Sequence, residues 1–238
     1  MNWGLFVVEL LIIITMVILL YLNGYSGLRK IPKAKKNQIK VACVGNSITY
    51  GFGIGNWPKY NYPKQLQRLL GKDYCVANFG LSGSCVGAFA DLPYKRTKVY
   101  KKSLEYEADI VVFMLGSNDS KHQNWTNKEQ FKNEYLTLLN TYKKDADIKI
   151  YLCTIARAFY SEDSNSPLTN FKIQPEMVGK IAEVIKEIAT ENGYHLIDIN
   201  KLTTHNHEWF SDDNIHPNKD GALAIAEEIN RHIKNEAI

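Results

Sequence analysis

Two short stretches near opposite ends of a 238-residue chain carry residue types that could act on the same bond. "VACVGNSITYG", residues 41–51, is an apolar run that halts at Gly45 and turns through Asn46 and Ser47. A serine at such a bend projects over a sheet edge, and its N–H, at the start of a following helix, can stabilise an oxyanion. Serine is equally a preferred helix N-cap, and taken alone the stretch favours that role. "SDDNIHPNKDG", residues 211–221, sets Asp213 three residues before His216, with Pro217 stiffening the chain. A carboxylate at this offset accepts from imidazole Nδ1, which fixes the tautomer and leaves Nε2 to take a proton from a serine. A helix start rich in Asp, Asn and Pro is the competing account, and it has no need of a histidine.

Two further loops hold suitable partners. "NFGLSGS" places Asn78, Gly80 and Gly83 in a tight turn where the backbone can approach a ligand, although an ordinary glycine-rich turn explains it as well. "LGSNDS" offers Asn118 as a neutral amide donor beside two prospective caps, Ser117 and Asp119. Each loop is weak by itself. Their common position, after a run of β-branched residues, is what joins them.

Those runs are "IKVACVG", "YCVANFG", "DIVVFMLG", "IKIYLCT" and "YHLIDI", and they alternate with amphipathic segments. The segments are "YPKQLQRLLG", "YKRTKVYKKSLEYEA", "KEQFKNEYLTLLNTYKK", "PEMVGKIAEVIKEIATENG" and "DGALAIAEEINRHIKN". In the third, Phe131, Tyr135, Leu138 and Leu139 share one face at helical spacing. Alternation of this kind predicts one α/β/α domain over residues 39–238, with a parallel sheet of about five strands buried on both faces. Open α/β sheets bind ligands beyond the carboxyl ends of their strands, so Ser47, the glycines of "NFGLSGS", Asn118, Asp213 and His216 are expected at one sheet edge.

The net charge of +4 is unevenly placed: Arg29, Lys30, Lys33, Lys35, Lys36 and Lys40 against Glu9 leave about −1 on the rest of the chain. The folded part has no basic surplus for a nucleic-acid partner. Residues 5–22 are apolar but for Glu9, exceed the roughly 7–15 residues of a signal core, and predict a transmembrane anchor over 1–23. A cleaved signal with secretion is the alternative. The basic stretch 24–38 reads as a juxtamembrane linker drawn to anionic headgroups, and the positive-inside rule places the domain on the cytoplasmic side. Cys43 and Cys153 sit in apolar runs as core residues, and no C-x-x-C pair occurs. His205 and His207 form an H-x-H without a further ligand at recognisable spacing, so no metal site is expected. "NDS" at Asn118 and "NWT" at Asn124 match glycosylation acceptors and are read as chance matches.

"GNSITYG", "NFGLSGS", "LGSND" and "DNIHP", in that order between residues 39 and 233, resemble the SGNH or GDSL-type esterases and acylhydrolases. The resemblance implies a flavodoxin-like three-layer sandwich. It implies Ser47 as nucleophile, His216 as general base and Asp213 as its orienting partner. The oxyanion hole would comprise the N–H groups of Ser47 and Gly83 and the Asn118 side chain, with no metal or organic cofactor. One departure is Asn46, where the family usually has Asp. The rival G-x-S-x-G elbow is absent, because Thr49 occupies its second glycine position.

"GSNDSKHQNW" also resembles the third block of carbohydrate O-acetylesterases, which points to a glycan ester as substrate. The aromatic residues of "YGFGIGNWPKYNYP" and the "SKHQNW" loop would stack on a sugar, wall an acyl pocket, or simply fill space. The mostly polar segment 155–173 gives little support for a long lipid groove. A lipid acylhydrolase or thioesterase, an acyltransferase using the same triad, and a non-catalytic glycan-binding relative are the alternatives.

Overall fold

The structure, a computed structural model, describes residues 3–22, 30–143, 148–160 and 170–235. Helix α1 (Trp3–Leu22) contains an 18-residue window of mean hydropathy 2.7, none of it buried. It is long and apolar enough to cross a membrane, and its length, composition and N-terminal place suit a signal sequence equally. Residues 24–29 of the expected linker lie outside the described residues. Beyond them Ile31 is partly buried against the main core, a contact that a lone apolar residue among lysines did not announce.

Strand β1 (Ile39–Gly45) leads through two short helices, α2 (Ser47–Tyr50) and α3 (Trp57–Tyr60), into α4 (Tyr62–Leu70). There follow β2 (Tyr74–Gly80), α5 (Lys98–Glu105), β3 (Ile110–Met114), α6 (Lys128–Asn140) and β4 (Lys149–Cys153). The chain continues through α7 (Pro175–Asn192), β5 (His195–Ile197), α8 (Ile199–Thr203) and α9 (Lys219–Asn235). All neighbouring strands pair in parallel, in the order β2-β1-β3-β4-β5, the flavodoxin-like arrangement expected.

Period-two side chains divide the apolar residues between two layers. Ala42, Val44, Val111 and Phe113 face a core built with Phe131, Tyr135, Ile181 and Ile185 from α6 and α7. Val41, Cys43, Val112 and Met114 face one built with Leu66 and Leu70 of α4 and Ile225 and Ile229 of α9. This two-sided burial is why the strands read as continuous apolar runs. Each aliphatic side chain removed from water contributes roughly 1.5–3 kcal/mol. All four cysteines are buried and free.

Helix ends follow local chemistry. The Asn61 side chain accepts from Lys64 N–H at 2.9 Å to start α4, and Gly71, with φ 83°, ends it. Residues 94–108, expected as one helix, are divided: Tyr94–Arg96 is a 3₁₀ turn, and extended Thr97 restarts the chain by accepting from Tyr100 N–H at 3.1 Å. A helix opening at Ser47 was expected, and α2 is that helix, only one turn long; α3 and α8 were not anticipated, since four or five residues are too few to display a helical period.

Register sets the functional edge. Gly45 pairs with Gly80 on one side and Met114 on the other, so the segments carrying Ser47, Gly83 and Asn118 leave the sheet side by side. Helix α2 passes so close to Gly80 that a Cβ there would lie 2.3 Å from Tyr50 N and 2.8 Å from Asn46 O. Backbone cannot yield as a flexible side chain does. Gly80→Ala should therefore lower the unfolding free energy by about 2 kcal/mol or more, read as an earlier urea midpoint; an unchanged midpoint would rule out this close approach.

Candidate active site

Ser47 is the first residue of α2, and Asn46 holds the capping position: its Oδ1 accepts from Ile48 N–H at 3.0 Å. The cap reading of Ser47 is thus corrected by one residue, and the serine hydroxyl is left for other use. As a first-turn residue Ser47 has an N–H without an intrahelical acceptor. Asn46 is almost wholly buried, where a neutral amide caps the helix without a charge that would need compensation. That gives a physical account of Asn at a position where Asp is usual.

Ser47 Oγ lies 2.8 Å from Nε2 of His216, a residue 169 positions away in the chain. His216 Nδ1 lies 2.7 Å from Asp213 Oδ2. With Nδ1–H donated to the carboxylate, Nε2 presents its lone pair to the serine hydroxyl. The second oxygen, Asp213 Oδ1, accepts from the N–H groups of Ile215 and His216 at 3.0 and 2.9 Å. Burial alone would raise the Asp213 carboxyl. The His216 hydrogen bond and charge, with the two backbone N–H groups, instead hold it below the usual carboxylate range. The 211–216 turn is closed by Ser211 N–H donating to His216 O at 2.8 Å. Two rings enclose the imidazole: Phe52 at 4.5 Å and Phe171, edge to face, at 5.3 Å.

Ser47, Gly83, Asn118 and His216 line one pocket, with Ile48, Phe52, Ser117, Lys121, Phe171, Ile173 and Ile215 completing its walls. Asp213 stands behind His216 and reaches the pocket only through the ring. Gly83 adopts φ 82°, a conformation that other residues rarely take, and its N–H has no partner among the described residues. Asn118 begins a 3₁₀ turn and donates one amide hydrogen to Ser84 O at 3.1 Å, leaving its second for a ligand. All five residues expected at the sheet edge are therefore close together.

Sequence reasoning missed several supports of this arrangement. Asp119 was read as a cap, but it is buried and accepts from the N–H groups of Val86 and Gly87 at 3.0 and 2.8 Å. Glu134 Oε2 takes the next one, Ala88 N–H, at 3.0 Å. Burial pushes the Asp119 carboxyl up to about 6; Gly87 and Val86 N–H groups oppose the shift, and the Glu134 charge adds to it. Nor does Ser117 cap the turn with its side chain. Asn124, the other glycosylation match, is buried and donates to Asn118 O at 2.9 Å. Of the aromatic loops, Phe52 reaches the pocket, whereas Trp57 packs on Tyr50 and Trp125 on Phe131; the second pocket ring, Phe171, comes from the segment 155–173 that was read as mostly polar. Residues 161–169 of the polar segment lie outside the described residues. His207 Nε2 is 2.8 Å from Asn214 Oδ1, and no three potential metal ligands cluster among the described residues.

A parallel sheet in this strand order, with a serine, histidine and aspartate in line beyond its carboxyl edge, defines a class of α/β hydrolytic fold. The chain belongs to the GDSL-like lipase/acylhydrolase family, whose model matches residues 43–224. It is 36% identical over 227 residues to the acetylxylan esterase of Xylanibacter ruminicola. That match covers 88% of this chain and 46% of the relative, so the chain spans about half the relative's length. Among solved structures, a carbohydrate acetylesterase from Sinorhizobium meliloti superposes with a TM-score of 0.68 at 14% identity, over 83% of this chain and 99% of that one. The aryl esterase of M. smegmatis gives 0.66 at 16%, over 83% and 99%. At such identities these two establish the shared fold.

Asp119 lends itself to a test by pH. Its folded pKa is raised, so the native state binds the proton more tightly than the unfolded chain, and stability is gained as pH falls from about 6 towards 4. Relative to Asp119→Asn, the wild type should gain up to about 3 kcal/mol over that interval, an order-of-magnitude figure at 1.36 kcal/mol per pKa unit. Urea unfolding of both proteins across the interval measures it, and parallel curves would contradict the raised pKa.

Proposed function

We propose that this chain is a serine esterase that works through an acyl-enzyme and removes small acyl groups, acetyl foremost, from carbohydrate esters. The observation that carries this reading is the hydrogen-bonded line from Ser47 Oγ through His216 to Asp213, ending in the pocket that Gly83 and Asn118 share.

In the first half-reaction Ser47 Oγ adds to the ester carbonyl carbon while its proton passes to His216 Nε2. The carbonyl oxygen becomes an oxyanion held by the N–H groups of Ser47 and Gly83 and by the Asn118 amide. Asp213 keeps the ring oriented and stabilises the imidazolium. Collapse of the intermediate breaks the bond to the alcohol, whose oxygen takes the proton back from His216. Water then adds to the acyl-serine in the same way, releasing the acid and restoring Ser47.

The acyl preference rests on the walls. Ile48, Ile173 and Ile215 supply apolar surface, and Phe52 meets Phe171 edge to face at 5.6 Å, which closes the side next to His216 to a long chain. A carbohydrate alcohol accords with the relative named for acetylxylan and the structural neighbour named for carbohydrate acetyl esters. In this reading α1 anchors the enzyme to a membrane, with the lysines after it near anionic headgroups. The mass of the mature N-terminus distinguishes an anchor from a cleaved signal, and protease accessibility in sealed vesicles reports the side.

Ser47→Ala should abolish turnover of an activated acetyl ester and labelling by a fluorophosphonate. Asn118→Ala should lower kcat by about 10²–10³. Undiminished turnover in Ser47→Ala would overturn the mechanism, and faster cleavage of long-chain than of acetyl esters would overturn the substrate.

A further inference from the structure

Part of the pocket wall has no task in the hydrolysis just described. Lys121 follows the Asn118–Ser120 turn and lines the pocket with Ser47, Gly83, Asn118 and His216. Its side chain is only 14% exposed, and its ammonium makes one ion pair among the described residues, to Asp91 Oδ2 at 3.8 Å. That distance is beyond hydrogen-bond reach. Asp91 is 48% exposed, and the same oxygen already accepts from the Gln123 and Asn124 amides at 3.0 and 3.3 Å. The Lys121 side chain is thus mostly buried against the pocket wall, and its one ion pair among the described residues is long and shared with two amides.

A second observation falls on the same wall. The Ser117 hydroxyl is buried and has no partner among the described residues, and Ser117 is one of the residues that line the pocket. Among the described residues none that lines the pocket carries a carboxylate; Asp91, the partner of Lys121, is not among them. Asp213 is committed to His216, and Asp119 to the N–H groups of Val86 and Gly87. Lys121, whose one ion pair among the described residues is long, and Ser117, whose hydroxyl is unpartnered among them, thus line the pocket that holds Ser47.

We propose that Lys121, assisted by Ser117, selects esters of anionic sugars: the acyl group sits at Ser47 while a carboxylate or phosphate on the same sugar meets the ammonium. This rests on the esterase reading and adds to it the charge of the substrate. A uronic acid and a sugar phosphate offer the same anionic oxygens, and direct comparison separates them. Such selection acts on kcat/KM by drawing one class of substrate into the pocket.

The test compares O-acetyl glucuronate, O-acetyl glucose 6-phosphate and neutral O-acetyl glucose on the full chain, its Lys121→Gln variant and its Lys121→Arg variant. The wild type should favour at least one anionic sugar by about tenfold in kcat/KM, the scale of one charge-assisted hydrogen bond. High salt should shrink that ratio. It should fall towards one in Lys121→Gln and survive in part in Lys121→Arg; the anion that leads identifies the source. Equal turnover of charged and neutral sugars by the wild type, or a preference that persists in Lys121→Gln, would overturn the proposal. If the wild type cleaves neither these sugars nor an activated acetyl ester, the esterase reading fails. Calorimetric binding of free glucuronate and glucose 6-phosphate then decides Lys121 separately: binding lost in Lys121→Gln supports the anion site, and no binding to the wild type overturns it.

Discussion

The hydrogen bond between Ser47 and His216 ties the first strand of the sheet to the loop before the last helix, and the chemistry of the pocket depends on it. A 2.8 Å contact between residues 169 positions apart survives only if both are held by structure that does not yield. Ser47 is held by α2, wedged over Gly80 at the end of β2. His216 is held by its own turn and by α9, which packs with α4 over the same sheet face. Gln65 reinforces that link from α4, donating to Tyr60 O at 2.8 Å and to Lys219 O at 3.2 Å. The two halves of the line are thus fastened to one layer of the sandwich.

Buried polar groups around the pocket are neutral where a neutral group suffices. Asn46 caps α2, Asn118 offers an amide, and Asn124 holds Asn118 from behind. Carboxylates occur where several donors converge: Asp213 receives the imidazole and two N–H groups, and Asp119 receives those of Val86 and Gly87. Ionised oxygen in low dielectric is tolerable only with such company. Lys121 is the exception, a partly buried cation whose one ion pair among the described residues, to Asp91, is as long as 3.8 Å.

Much of the architecture was legible because parallel strands buried on both faces must be apolar throughout. The runs "IKVACVG" and "YCVANFG" coincide with β1 and β2, and Gly and Pro mark both ends of α7. Elements shorter than two turns left no period to read, so α3 and α8 escaped notice, and α2 was legible only from the turn that opens it. The split at Thr97 was hidden for a related reason. A threonine inside an amphipathic stretch shows its cap geometry only when its backbone is seen to be extended.

The Asp-x-x-His spacing was informative because a turn of four residues is local, and local geometry follows from local chemistry. By itself the sequence determined the alternation of strand and helix, the loops able to do chemistry, and the identity of the five residues expected at the sheet edge. It could not determine that Asn46 rather than Ser47 caps α2, that Asp119 braces the Val86–Gly87 turn, or that Phe52 and Phe171 enclose His216. Those contacts join residues brought together by crossovers, and which loop meets which is decided by strand order and packing. In sequence Lys121 is one lysine in a polar loop, and only the tertiary fold makes it part of the wall of the pocket that holds Ser47.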